Sequence, residues 1–86
     1  MQTTLTEKET ETLRQILSEE LGAEASQLEP EARLVQDLGA DSLTMVQILM
    51  AVEDEFHVTV PDEQWEHVAT VGDVFEHLEK LLADRG

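Results

Sequence analysis

Apolar positions along this chain recur at helical rather than strand spacing, and they divide it into four segments. Leu13, Ile16, Leu17 and Leu21 fall on one face of a helix expected over about residues 6–21. Thr6 with Glu9 three residues on has the form of a capping box, and Gly22 suits the helix C-terminus. Glu7, Glu11, Arg14 and Glu19 on the opposite face read as a solvated surface. A second helix is expected over 42–56. Its middle, Met45 to Val52, is apolar over more than one stripe, so one face is buried while Val46 and Met50 stay partly exposed. Such a surplus marks a docking surface for which methionine is well suited, unless Met45 and Met50 are ordinary core residues. A short third helix is expected over 62–68, with Pro61 at its start, Asp62 and Glu63 in its first turn, and Trp65 and Val68 facing inward. The last helix, over 70–83, opens on Thr70 and Asp73 in capping-box spacing. It carries the stripe Val71, Val74, Phe75, Leu78, Leu81 and Leu82, and Asp84-Arg85-Gly86 is expected to fray.

Residues 22–40 are too long for a tight turn, and Pro30 argues against a continuous helix through them. Leu28, Leu34, Val35 and Leu38 are the expected anchors of this loop, with a helical turn around 32–36. His57-Val58-Thr59-Val60 alternates as a strand does, but it is short and lacks an evident partner, so it reads as an extended loop. The fold class is therefore all-α: a small four-helix bundle with a long loop between helices 1 and 2 and a short third helix.

Composition narrows the functions open to such a bundle. Eighty-six residues bury little more than half of their unfolded surface, so one small domain with one core is the limit and an elaborate active site is excluded. Twenty acidic residues against five basic ones give a formal charge of −15, which repels nucleic acid and anionic membranes and draws in basic protein surfaces. Regular apolar spacing argues against the disorder that acidity can signal. With no cysteine, any thiol chemistry must come from a cofactor. Met1-Gln2-Thr3-Thr4 does not open a basic-then-apolar leader, and no apolar run reaches membrane-spanning length, so a cytoplasmic protein is expected.

The candidate chemistry lies at Leu38-Gly39-Ala40-Asp41-Ser42-Leu43. Asp41 is a good N-cap, which makes Ser42 the first residue of the second helix. Its hydroxyl then stands beside uncommitted N–H groups in the positive field of the helix N-terminus, a setting that favours an attached phosphate ester. On these two residues alone, plain capping is the better account of the pattern. Other chemistries fit poorly. His57, His67 and His77 are ten residues apart, with no zinc spacing, and read as surface histidines. Asp37 to Ile48 lacks the ligand alternation and the sixth-position glycine of a calcium loop. A Ser-His-Asp hydrolase needs a larger scaffold, and no P-loop or dinucleotide fingerprint is present.

The wider pattern is more specific. Asp37-Leu38-Gly39-Ala40-Asp41-Ser42-Leu43, followed by Val46, Met50, Glu53-Asp54-Glu55-Phe56, Val60-Pro61-Asp62-Glu63 and Thr70-Val71-Gly72-Asp73, resembles the acyl carrier proteins from about Leu34 to Leu82. The resemblance implies a single acyl-carrier-type domain over 1–86 and a non-catalytic protein. It implies 4′-phosphopantetheine, supplied by coenzyme A, attached to Ser42 beside the cap Asp41, with acyl groups carried as thioesters on its terminal thiol. It also implies a phosphopantetheinyl transferase as partner, together with acyltransferases, ketosynthases and other acyl-processing enzymes that present basic docking surfaces. A monomer without a metal site is expected.

Matching the family position by position, Leu43, Val46, Gln47, Met50, Glu53 and Asp54 fall on the docking face. Leu34, Val35, Met45, Val52, Val60, Trp65, Val68 and Val74 fall about the acyl pocket, where the bulk of Trp65 is expected to limit or shape the cargo. The chain also departs from the pattern. Thr44 and Gln47 stand where many fatty-acid carriers have acidic residues, which tilts the expectation from fatty-acid towards polyketide or other secondary-metabolite assembly. The alternatives are an unmodified acidic interaction module and an aminoacyl or peptidyl carrier.

Overall fold

In a computed structural model, which describes residues 5–85, the chain folds into four α-helices with no strand among the described residues. Met1 to Thr4 and Gly86, on which the expectations of a leaderless start and a frayed end partly rest, lie outside the described residues. Helix α1 spans Glu7–Leu21, α2 Ser42–Phe56, α3 Asp62–Trp65 and α4 Val71–Arg85, and a single 3₁₀ turn at Ala25–Gln27 interrupts the first loop.

The caps act through short-range pairs. Thr6 and Glu9 form a reciprocal capping box at the start of α1, and Gly22 closes the helix in the left-handed region at φ 64°. Thr70 and Asp73 do the same for α4: the Asp73 N–H donates to the Thr70 hydroxyl at 3.1 Å, and the Asp73 carboxylate accepts from Thr70 N–H at 3.1 Å and Ala69 N–H at 2.9 Å. Helix α2 ends at His57, which takes the left-handed conformation at φ 55° without being glycine.

The bounds of three helices differ from expectation, with α1 beginning at Glu7 and Thr6 outside it as cap. Helix α3 stops at Trp65 rather than residue 68, because His67 and Val68 turn back to Gln64 and Trp65 with tighter, 3₁₀-type bonds. Helix α4 continues to Arg85 rather than 83, with Thr70 outside it as cap. Trp65 and Val68 are nonetheless both buried.

The core runs through every element: Leu13 and Leu17 from α1, Ile48 and Val52 from α2, Trp65 from α3, and Val71, Val74 and Leu78 from α4. No polar or charged residue is buried among the described residues. Of the expected loop anchors, Leu28 and Leu34 are buried and Leu38 packs partly against the core, but Val35 is 55% exposed. Residues 34–38 form turns in which Val35 lies on the outer side, so it is not an anchor.

Backbone hydrogen bonds fix the loop to α4. Leu34 N–H donates to Ala69 O, while Val71 N–H donates to Ala32 O and Gly72 N–H to Pro30 O. A Cβ at Gly72 would come within 3.1 Å of Pro30 O, so glycine permits this close approach. Arg14 is not merely solvated, because its guanidinium sits 5.9 Å from the centroid of Phe75 and links α1 to α4. Of the three histidines, His57 and His67 are exposed and His77 is half-buried.

Candidate functional site

The segment leading to Ser42 is wound by local bonds. Arg33 donates to Asp37 from its backbone N–H at 2.9 Å and from its side chain at 3.2 and 3.3 Å. Asp37 N–H and Leu38 N–H both return to Arg33 O, Gly39 N–H to Val35 O and Ala40 N–H to Leu34 O. Gly39 completes the turn at φ 74°, a conformation that costs an L-residue with a side chain. Buried Ala40 then seats the chain, and Asp41 and Ser42 emerge on the surface.

Asp41 is the N-cap of α2. Its carboxylate accepts from Thr44 N–H at 2.8 Å and from the Thr44 hydroxyl at 2.9 Å. The hydrogen bond from Thr44 N–H, with help from the hydroxyl, holds the Asp41 carboxyl below the usual value of 3.8 and keeps it anionic at neutral pH. Ser42, the first helical residue, is exposed, and among the described residues no hydrogen bond engages its hydroxyl. At the starts of the other two long helices the hydroxyls of Thr6 and Thr70 each accept a backbone N–H at 3.1 Å.

The structure places Leu43, Val46 and Met50 on one exposed face of α2, at 65%, 47% and 62% exposure. Gln47 and Asp54 are exposed as well. Beyond Met50 the surface dips into a shallow groove lined by Met50, Ala51, Glu53, Asp54, Val58 and Thr59. Glu53 is only half exposed, and its carboxylate accepts from Val60 N–H at 2.8 Å, tying α2 to the segment before α3. That tie, which spans a loop, escapes any reading based on helical spacing.

Leu34, Val52, Val60, Trp65, Val68 and Val74 meet in the buried core, and Met45 packs against it from α2. Val35 stands apart on the surface. Ile48, Phe56, Val71 and Leu78 belong to the same core, and their helical periodicity was the available signal. The Trp65 indole nitrogen is buried without a hydrogen-bond partner among the described residues. No group of metal-ligating side chains occurs among the described residues, and no described helix is long and apolar enough to cross a membrane.

The site is thus an unbonded, exposed serine hydroxyl at the start of a helix in an acidic bundle, beside an exposed apolar face. The family model described as "Phosphopantetheine attachment site" matches residues 11–78, and the chain belongs to this family, within it to the acyl carrier proteins. Acyl carrier proteins of Helicobacter pylori strains J99 and G27 are 45% and 46% identical over 69 residues, covering 80% of this chain and 88% of each of theirs. The solution structure of the acetyl actinorhodin acyl carrier protein from Streptomyces coelicolor superposes with a TM-score of 0.75 at 28% identity, covering 100% of both chains. The cofactor of the family is phosphopantetheine, and the site fits it: a small exposed hydroxyl, free of internal bonds, stands at the electropositive end of a fifteen-residue helix.

Proposed function

We propose that Ser42 is the residue that carries 4′-phosphopantetheine, and that the protein is a non-catalytic, monomeric, cytoplasmic carrier of acyl groups. The observation that carries this reading is the uncommitted Ser42 hydroxyl, which Asp41 leaves free by supplying the helix cap itself. The group supplies a long arm ending in a thiol that holds acyl chains as thioesters. The residues of the chain do the rest. Asp41 fixes the helix start and the position of Ser42, and the N-terminal field of α2 favours the anionic phosphodiester. Leu43, Val46, Gln47 and Met50, with Asp54 and the outer edge of Glu53, form the face that meets partner enzymes. The charge of −15 selects transferases, acyltransferases and ketosynthases with basic surfaces. The core residues Leu34, Met45, Val52, Val60, Trp65, Val68 and Val74 supply the apolar interior into which a cargo folds.

Within the class we favour polyketide or other secondary-metabolite assembly over fatty-acid synthesis. Past the cap Asp41 the first turns of α2 carry no charge: Thr44 is turned to the cap by its bond to Asp41, and Gln47 is uncharged, so partners that read acidic residues on this stretch of the helix find little. The likeness to the actinorhodin carrier supports the same reading.

The test is intact mass after incubation with coenzyme A, magnesium ion and a broad phosphopantetheinyl transferase. One prosthetic group should be added, and Ser42→Ala should abolish the gain. No gain with several transferases would instead favour an unmodified acidic interaction module.

A further inference from the structure

The interior is apolar throughout with one exception. Among the described residues no polar or charged residue is buried, yet Trp65, 9% exposed, holds its indole N–H away from solvent with no acceptor. A buried donor left unpaired forfeits the hydrogen bonds it made to water, which is why a tryptophan in a core is ordinarily found with its N–H bonded. Leu or Phe at this position would fill the space without that loss. Trp65 also lies on the shortest helix, α3, among residues whose other buried side chains are aliphatic: Val60 before it and Val68 after it.

We propose that Trp65 Nε1 is a cargo-recognising donor, and that the protein prefers acyl chains carrying an internal oxygen acceptor, a keto or hydroxyl group, over fully saturated chains of the same length. This rests on the carrier reading above. A saturated chain entering the core leaves the indole unpaired, as it is in the unloaded protein. A chain with a carbonyl in reach supplies the acceptor that the fold omits, inside a low-dielectric interior where such a bond is strong. Trp65 is then a specificity-determining residue, and it selects by what the cargo offers to hydrogen-bond as well as by size.

The experiment compares three forms of the full chain, each confirmed by intact mass: pantetheine-loaded, octanoyl-loaded and 3-oxooctanoyl-loaded. The readouts are the Trp65 indole ¹H–¹⁵N cross-peak and the melting temperature. The indole proton should move downfield in the oxo form and not in the saturated form, and the oxo form should melt higher. Trp65→Phe should erase the difference between the two cargoes while keeping the stabilisation by the saturated chain. The indole measurement on the unmutated protein stands even where Trp65→Phe disturbs folding. Equal indole shifts and equal melting temperatures for the two loaded forms would overturn the proposal and leave the carrier reading intact. Failure of Ser42 to gain the prosthetic group would overturn both.

Discussion

Glu53 illustrates how a residue on the proposed docking face can be held by the fold. Its carboxylate accepts from the Val60 N–H at 2.8 Å and bridges the end of α2 to the segment that feeds α3. Val60 is buried, so truncating Glu53 to alanine leaves an N–H in the core margin without an acceptor. A hydrogen bond to a charged group contributes about 1.5–3 kcal/mol. Because Glu53 is half exposed, water replaces part of the loss, and about 1–2 kcal/mol is expected for Glu53→Ala. At about 4–8 °C per kcal/mol for a domain of this size, the melting temperature should fall by about 5–15 °C. Glu53→Gln retains an oxygen acceptor and should lose less than half as much. Both variants remove one of the excess negative charges, so relief of repulsion acts equally in both and their difference isolates the hydrogen bond. Circular dichroism melts of the unloaded protein read the effect, and exchange of the Val60 amide should quicken in the alanine variant. If Glu53→Ala melts with the parent and the Val60 amide exchanges no faster, the tie is not stabilising and Glu53 acts only at the surface.

Two further outcomes follow from the same geometry. Asp54→Lys, at an exposed carboxylate, should slow association with the transferase more at low salt than at high salt, whereas Met50→Ala should act mainly on dissociation and persist as salt rises; stopped-flow binding at two ionic strengths separates them. Asp37, Asp41 and Asp73 are held below the usual 3.8, Asp37 by its side-chain bond from Arg33, Asp41 by Thr44 N–H and Asp73 by Ala69 N–H. Groups with depressed folded-state values stabilise fully above about pH 5 and lose that contribution as pH falls through the unfolded and then the folded values, so Asp73→Asn should flatten the acid limb of stability measured by urea unfolding below about pH 5.

The parts of this fold that were legible in the sequence are those governed by neighbours. The pairs Thr6 with Glu9 and Thr70 with Asp73, the cap Asp41 and the terminating Gly22 act within one turn, so spacing alone announces them. What stayed hidden depends on parts far apart in the chain. Pro30 and Ala32 carbonyls accept the first N–H groups of α4, and no local pattern predicts that. The length of α3 is equally non-local, since so short a helix persists only because Trp65 and Val68 are buried on either side of its end. Val35 looked like its neighbour Leu34, but in a turn adjacent side chains take different directions, and only Leu34 reaches the core. At the site the position of Ser42 was legible, because it follows from a cap. The unpaired indole of Trp65 was not, because being unpaired is a property of everything around it.

Among the described residues, the three long helices begin in ways that explain why only α2 leaves a hydroxyl at its start unbonded. At α4 the N–H groups of Val71 and Gly72 are taken by loop carbonyls, that of Asp73 by the Thr70 hydroxyl and that of Val74 by Thr70 O, so that end is closed. At α1 the Thr6 hydroxyl is likewise committed to the Glu9 N–H. Both threonines occupy the cap position, where a hydroxyl is needed to satisfy the helix. At α2 an aspartate fills that position and takes the Thr44 N–H. Serine, one residue later, is thereby relieved of capping while keeping the electrostatic advantage of the helix end. The Asp41 carboxylate accepts from both the N–H and the hydroxyl of Thr44, so the cap and the next hydroxyl along the helix are engaged with each other while that of Ser42 is not. The order Asp41 then Ser42, rather than the reverse, is what leaves a hydroxyl uncommitted at a helix start.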